Sequence, residues 1–211
     1  MECFDLSQYK APYLKYEEIR KKADEFRAKY WENQTIPVDI LYIIEFKLNL
    51  DIIPIKNLKS YGDIDSFLLG DLSGIAVDSD EYMDDRYLNR IRFSIAHEIG
   101  HLVLHSDIYK KCKLEPLKEI QDWITFIKTV PEKEYNWFEL QAYEFAGRLL
   151  VPINELQNEI NKFNTEIETA KSLISDIDNY RLAEYLAPNI ANKFQVSPEV
   201  IVRRINVEKI F

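Results

Sequence analysis

The sequence predicts an α+β fold that is mostly helical, with one small antiparallel or mixed sheet and a helical extension at the C-terminal end. Three observations carry this. Apolar residues recur at helical spacing over most of the chain. A single stretch, residues 50–77, is instead β-branched and punctuated by turn residues. No linker rich in Gly or Ser and no internal repeat interrupts the 211 residues, so strands and helices are expected to share a core. The expected division is a main domain over 1–152 and a helical extension over 153–211.

Each element has its own signal. Tyr16, Ile19, Ala23, Phe26 and Tyr30 give the segment from Pro12 to Trp31 one apolar face, as an amphipathic helix requires. Thr35, Ile36 and Pro37 read as the start of a second helix with Pro in its first turn, running from about Val38 to Lys47. Leu50 to Ile55 reads as a short strand, and Pro54 assigns it to a sheet edge or a strand end. Gly70 and Asp71 look like a hairpin tip, with Gly74 to Val77 pairing back. A long helix is expected from about Leu88 to His105. Ser106 to Asn136 is poorly patterned, with one helix expected over Leu117 to Val130. Glu139 to Val151 is strongly helical and is stopped by Pro152. Near the end, Ser197, Pro198 and Glu199 supply an N-cap, a first-position proline and an acidic first turn. With a helix over Leu182 to Phe194 before them, the end resembles a helix-turn-helix.

Composition narrows the function classes. At 46% hydrophobic and 13% aromatic the chain is too apolar for disorder, and five Gly with eight Pro exclude a collagenous or low-complexity chain. Lys plus Arg number 27 against 36 Asp plus Glu, so the formal charge of −9 gives no general attraction to nucleic acid. Residues 181–211 carry five basic and three acidic side chains, too thin a patch for direct DNA binding to be expected. Cys3 and Cys112 form no CxxC pair, which argues against a disulfide scaffold and for a reducing compartment. Met1 to Asp5 do not begin a secretory leader, and no run approaches about 18 apolar residues. A cytoplasmic protein without membrane contact is expected.

The chemistry lies in His97-Glu98-Ile99-Gly100-His101. Residues four apart on a helix share one face, so two imidazoles placed so can reach one Zn²⁺ at about 2.0–2.1 Å. Glu98, offset by about 100°, stands where a general base takes a proton from water at the metal. With three His in 211 positions, the pattern rarely arises by chance. Phe93, Ile95, Ala96, Ile99, Leu102, Val103 and Leu104 make the helix apolar nearly all round, so it should be buried. The bland alternative is two core histidines bonded to backbone. His105 is a poor third ligand: eight residues from His97 is about 12 Å along the axis. It reads instead as a helix-end histidine.

A tetrahedral catalytic site needs one more protein ligand. Ala142, Phe145, Ala146, Leu149 and Leu150 form one apolar stripe, and Glu139 falls inside it. A carboxylate on a core-facing stripe is costly unless paired or metal-bound, so Glu139 is the expected third ligand. The alternative is a first-turn residue favoured by the helix dipole. Glu144 falls on the far side and reads as a solvated charge. Ala142, Ala146 and Gly147 would let this helix approach another closely.

Arg90 to His105 (RIRFSIAHEIGHLVLH) resembles the signature RRxFTLAHELGHxxLH of the ImmA/IrrE family of zinc metallopeptidases. Glu139 to Pro152 resembles its second signature, ExxANxFAxxLLMP. Phe194 to Ser197 with Val202 to Ile205 is similar to its C-terminal FxVSxxAxxxRL segment, and the small sheet stands where the family has one. The resemblance spans roughly residues 35–205. It implies a compact zincin-like fold, Zn²⁺ bound by His97, His101 and Glu139, and Glu98 as catalytic base. It also implies a protein substrate, a helix-turn-helix repressor whose cleavage releases mobile-element or stress-response genes. Tyr143 replaces the family's usual Asn and Val151 its Met, and the interval from His101 to Glu139 is long. Tyr143 could alter how Glu139 is oriented or place a phenol near the site.

The expected reaction is peptide-bond hydrolysis, and its oxyanion needs a donor besides the metal. Tyr143 and Arg92 are both near the right segments, and the sequence does not choose between them or exclude a structural role for each. Two other function classes compete: a non-catalytic, metal-stabilised module that binds a partner protein, and a DNA-binding regulator. Glu98 disfavours the first and weak positive charge the second. A zinc deaminase is excluded by the missing PCxxC element.

Overall fold

The computed structural model describes residues 5–61, 64–111, 120–174 and 177–211. The expected α+β class holds: the chain is mostly helical around a three-stranded mixed sheet. Cys3, Cys112, Gly62 and the first residues of the helix expected from Leu117 lie outside the described residues. Among the described residues no helix is long and apolar enough to cross a membrane.

Helix α1 (Tyr16–Tyr30) buries Ile19, Ala23 and Phe26 on one face, as its spacing predicts. The second helix starts later than expected. A cis peptide bond joins Ile36 to Pro37, and α2 (Ile40–Tyr42) begins only after Asp39, whose carboxylate accepts from Tyr42 N as an N-cap. It runs on as a π-helix (Ile43–Leu48). Strands β1 (Asp51–Ile55), β2 (Ser66–Leu68) and β3 (Gly74–Asp78) make the sheet in the order β1-β3-β2. β1 runs parallel to β3, and β2 pairs antiparallel with it across the expected tip at Gly70-Asp71. β3 is buried throughout, while Pro54 sits in an edge strand, where its missing N–H costs no ladder bond.

After the short α3 (Ser79–Tyr82), α4 (Leu88–Lys111) crosses behind the sheet. Ile91, Ile95, Ala96 and Ile99 are fully buried on it. α5 (Ile120–Thr129) precedes α6 (Glu132–Leu150), which begins seven residues before Glu139. Pro131 at the cap and Glu132 and Glu134 in the first turn suit a helix start, but that first turn is polar and buries none of its residues. Glu139 is therefore mid-helix, which removes its first-turn alternative. α7 (Ile153–Asn161), α8 (Asn164–Leu173), α9 (Asn179–Phe194) and α10 (Pro198–Glu208) complete the chain. Gln195 turns in the left-handed region between α9 and α10, and Pro198 opens α10. The buried core runs continuously from α1 through the sheet, α4 and α6 into α9 and α10.

The α4–α6 crossing positions the site. A Cβ built on Gly100 would stand 2.9 Å from the Ala142 carbonyl oxygen and 3.0 Å from its Cα. Only glycine lets the two backbones come this close. Gly147, expected to help in such an approach, faces the Arg204 side chain of α10 instead.

Candidate metal centre

α4 presents His97 and His101 one turn apart, and the crossing at Gly100 carries the α6 face against them. His97 Nε2 lies 3.0 Å from His101 Nε2 and 3.0 Å from Glu139 Oε2, and His101 Nε2 lies 3.6 Å from Glu139 Oε1. One ligand atom from each of the three lies within 4.8 Å of the others. Tetrahedral zinc with bonds near 2.05 Å sets its ligand atoms about 3.3 Å apart, so the spacing suits such an ion. His101 is buried, and the cluster forms one wall of a cleft of about 470 Å³ also lined by Ser66, Glu98, Trp123, Tyr135 and Tyr143.

Charge organises the cluster. Burial alone would raise the Glu139 carboxyl, but the two imidazoles outweigh it and hold the group well below the usual carboxylate range. Burial works against a charge on His97, yet the Glu139 carboxylate raises its pKa on balance. Glu139 is thus an ionised donor at neutral pH. Glu98 stands outside the cluster. Its Oε1 accepts from Ser66 Oγ at 2.9 Å and its Oε2 from Leu68 N at 2.9 Å, so the edge of β2 fixes the carboxylate at the cleft.

Comparison with protein families matches residues 84–206 to the peptidase M78 family, described as the IrrE N-terminal-like domain. The chain belongs to this family. No curated protein matches it closely enough to count as a relative. Peptidase M78 is a metallopeptidase-type family, so the chain's class is that of a peptidase, and the matched span holds all three cluster residues. β2, which holds Glu98, precedes the span.

Within the M78 domain the remaining candidates separate. Tyr143 lies in the cleft wall, its ring 4.7 Å from that of Phe93 and capped by the Arg203 guanidinium at 4.7 Å. Arg92 is not brought to the site. Five residues before His97, it points about 140° away around α4. There it donates to Val38 O at 2.7 Å and Gln195 O at 3.4 Å, tying α4 to the segment before α2 and to the α9–α10 turn.

Two readings need correction. Glu144 is not solvated: it is 1% exposed and bridges Arg204 at 3.0 Å and Arg20 at 3.1 Å. The face of α6 opposite Glu139 is covered by α10 and α1, so the charged side of the helix is a second interface. His105 is not a helix-end residue, because α4 continues to Lys111. It is buried with its Nδ1 3.0 Å from His101 Nδ1, and burial, reinforced by His101, pushes its pKa down to about 3.

Sequence reasoning missed Ser66 and Tyr135. Nothing local marks Ser66, because its role exists only where β2 lies along α4. Tyr135 had a signal: Tyr135, Glu139 and Tyr143 are each four apart on α6 and line the cleft together. Burial first, then the Glu139 carboxylate to which it hydrogen-bonds, raises the Tyr135 phenol. Burial raises Tyr143 as well.

Proposed function

We propose that the chain is a zinc-dependent endopeptidase in which His97, His101 and Glu139 hold the ion and Glu98 is the general base. The observation that carries this is the convergence of two imidazoles and one ionised carboxylate on a cleft wall, with a separate carboxylate held beside them. Two imidazoles and a carboxylate are a donor set that suits Zn²⁺, and all three side chains line the cleft. Bound there, zinc would lower the pKa of a water toward about 7 and polarise the scissile carbonyl.

The other steps belong to the chain's own groups. Glu98 accepts the proton of the attacking water and returns it to the leaving amine. Ser66 and Leu68 occupy one lone pair on each of its oxygens and leave others free, so they orient the base without consuming it. Tyr143 keeps its proton at neutral pH and is the phenol at the cleft wall placed to serve a developing oxyanion, whereas Tyr135 spends its own on the Glu139 carboxylate and helps to orient it.

The proposed substrate is a helix-turn-helix transcriptional repressor in the cytoplasm, cleaved to derepress mobile-element or stress-response genes. Its support is the likeness of residues 90–105 and 139–152 to the ImmA/IrrE signatures. The test is incubation with the repressor encoded beside the gene, with and without chelator, for wild type and Glu98→Gln. Cleavage by wild type alone, abolished by chelation, is expected. Cleavage by Glu98→Gln at the wild-type rate would refute the mechanism. Tight binding of the repressor without cleavage would favour a non-catalytic, metal-stabilised binding module.

A further inference from the structure

Behind His101, on the side away from the cleft, three hydrogen bonds run in series through the core. His101 Nδ1 meets His105 Nδ1 at 3.0 Å, His105 Nε2 meets Gln141 Oε1 at 3.1 Å, and Gln141 Nε2 donates to Pro12 O at 2.9 Å. Gln141, His101 and His105 are all buried. The Phe138 ring stacks on both imidazoles, with centroids 4.1 and 4.2 Å away, and holds their planes.

The chain of bonds has one direction. The Pro12 carbonyl can only accept, so the Gln141 amide nitrogen must face it. The reverse amide would set two carbonyl oxygens against each other. Gln141 Oε1 therefore faces His105, whose Nε2 must carry the proton. In a neutral imidazole the other nitrogen is then bare. Two Nδ1 atoms at 3.0 Å share one hydrogen, so His101 supplies it. His101 is left with a bare Nε2, and that is the atom directed at His97 and Glu139.

We infer that His105, Gln141 and the Pro12 carbonyl form a positioning relay that sets the tautomer and ring orientation of His101, with a histidine in the place usually taken by a carboxylate or backbone carbonyl. The relay ends on the segment ahead of α1. That segment has a second tether, since Ala11 N donates to Glu134 Oε2 at 2.8 Å, two turns before Gln141 on α6. The inference rests on the proposed role of His101 as a metal ligand.

Two measurements on the full chain test it. Long-range ¹H–¹⁵N NMR of wild type reads the ring tautomers directly, with zinc and with chelator. His105 protonated at Nε2 and bare at Nδ1 is expected in both, and His105 protonated at Nδ1 would overturn the relay. Zinc affinity, measured by competition with a chelating dye, then compares variants. His105→Leu should bind about 10- to 100-fold more weakly, and His105→Asn, which returns an acceptor near the Nδ1 position, should recover most of the loss. His105→Leu binding as tightly as wild type, with His101→Ala losing zinc, would overturn the relay and leave the metal reading intact. Wild type without zinc affinity would remove the metal reading. The tautomer of His105 in that same protein would still decide the relay.

Discussion

Gly100 on α4 and Ala142 on α6 meet backbone to backbone, with room for no Cβ between them. This contact sits between His97 and His101 along α4 and three residues past Glu139 on α6. It therefore sets how near the carboxylate comes to the two imidazoles.

Gly100→Ala should destabilise the fold despite the better helix propensity of alanine. Overpacking costs about 1–3 kcal/mol and the propensity gain returns about 1 kcal/mol. A net loss and a weaker zinc affinity are expected. Urea denaturation and metal titration check both, and a stabilised variant would show that the helices are free to separate.

Ser66→Ala removes one of the two donors that fix Glu98. A hydrogen bond to a charged group is worth roughly 1.5 kcal/mol, or about ten-fold in rate. The expected result is a kcat lowered about that much, with KM and zinc content unchanged. Steady-state cleavage kinetics with metal analysis separates this from a general loss of structure.

Glu144→Ala should destabilise by about 3 kcal/mol, the low end of the cost of removing one partner of a buried ion pair, because Glu208 still faces both arginines. Arg204 is itself buried and, among the described residues, keeps only Glu208 as an anionic partner in that variant, while Arg20 also loses Glu144. Chemical denaturation measures the loss. A change under about 0.5 kcal/mol would restore the reading of Glu144 as a surface charge.

That residue marks where legibility ended. The spacing of His97 and His101 and the apolar stripe through Glu139 were readable because each is a local helical pattern. The opposite face of α6 carries Glu144 and Arg148, and charge on a helix face is ordinarily solvated. Its burial depends on Arg204, sixty residues away, and no local pattern reports a partner at that distance. His105 was misread for a related reason: the apolar run of α4 fades after Leu104 while the helix goes on to Lys111. The edge of β2 against α4, and with it Ser66, is a purely tertiary fact.

Asp78 provides a pH test remote from the cluster. Its burial would raise the carboxyl, but backbone N–H donors at Lys59, Glu81 and Asp80 outweigh that and lower it below its ordinary 3.8. A depressed carboxylate stabilises the fold above its unfolded pKa, and the gain is lost as pH falls through the folded pKa. Asp78→Asn keeps one acceptor oxygen for Asp80 N and Glu81 N but leaves Lys59 N without its acceptor; it should cost about 1 kcal/mol at pH 7, and the gap to wild type should shrink as pH drops below about 3.8. Denaturation curves at both pH values decide it, and a constant gap would contradict the sign.

The proposed centre assigns the ion to His97, His101 and Glu139 and leaves Glu98 off the metal. Zinc content by mass spectrometry of wild type, Glu139→Ala and Glu98→Gln tests it most directly. About one zinc per chain is predicted for wild type and Glu98→Gln, and little for Glu139→Ala. Full zinc in a folded Glu139→Ala would take Glu139 out of the metal centre.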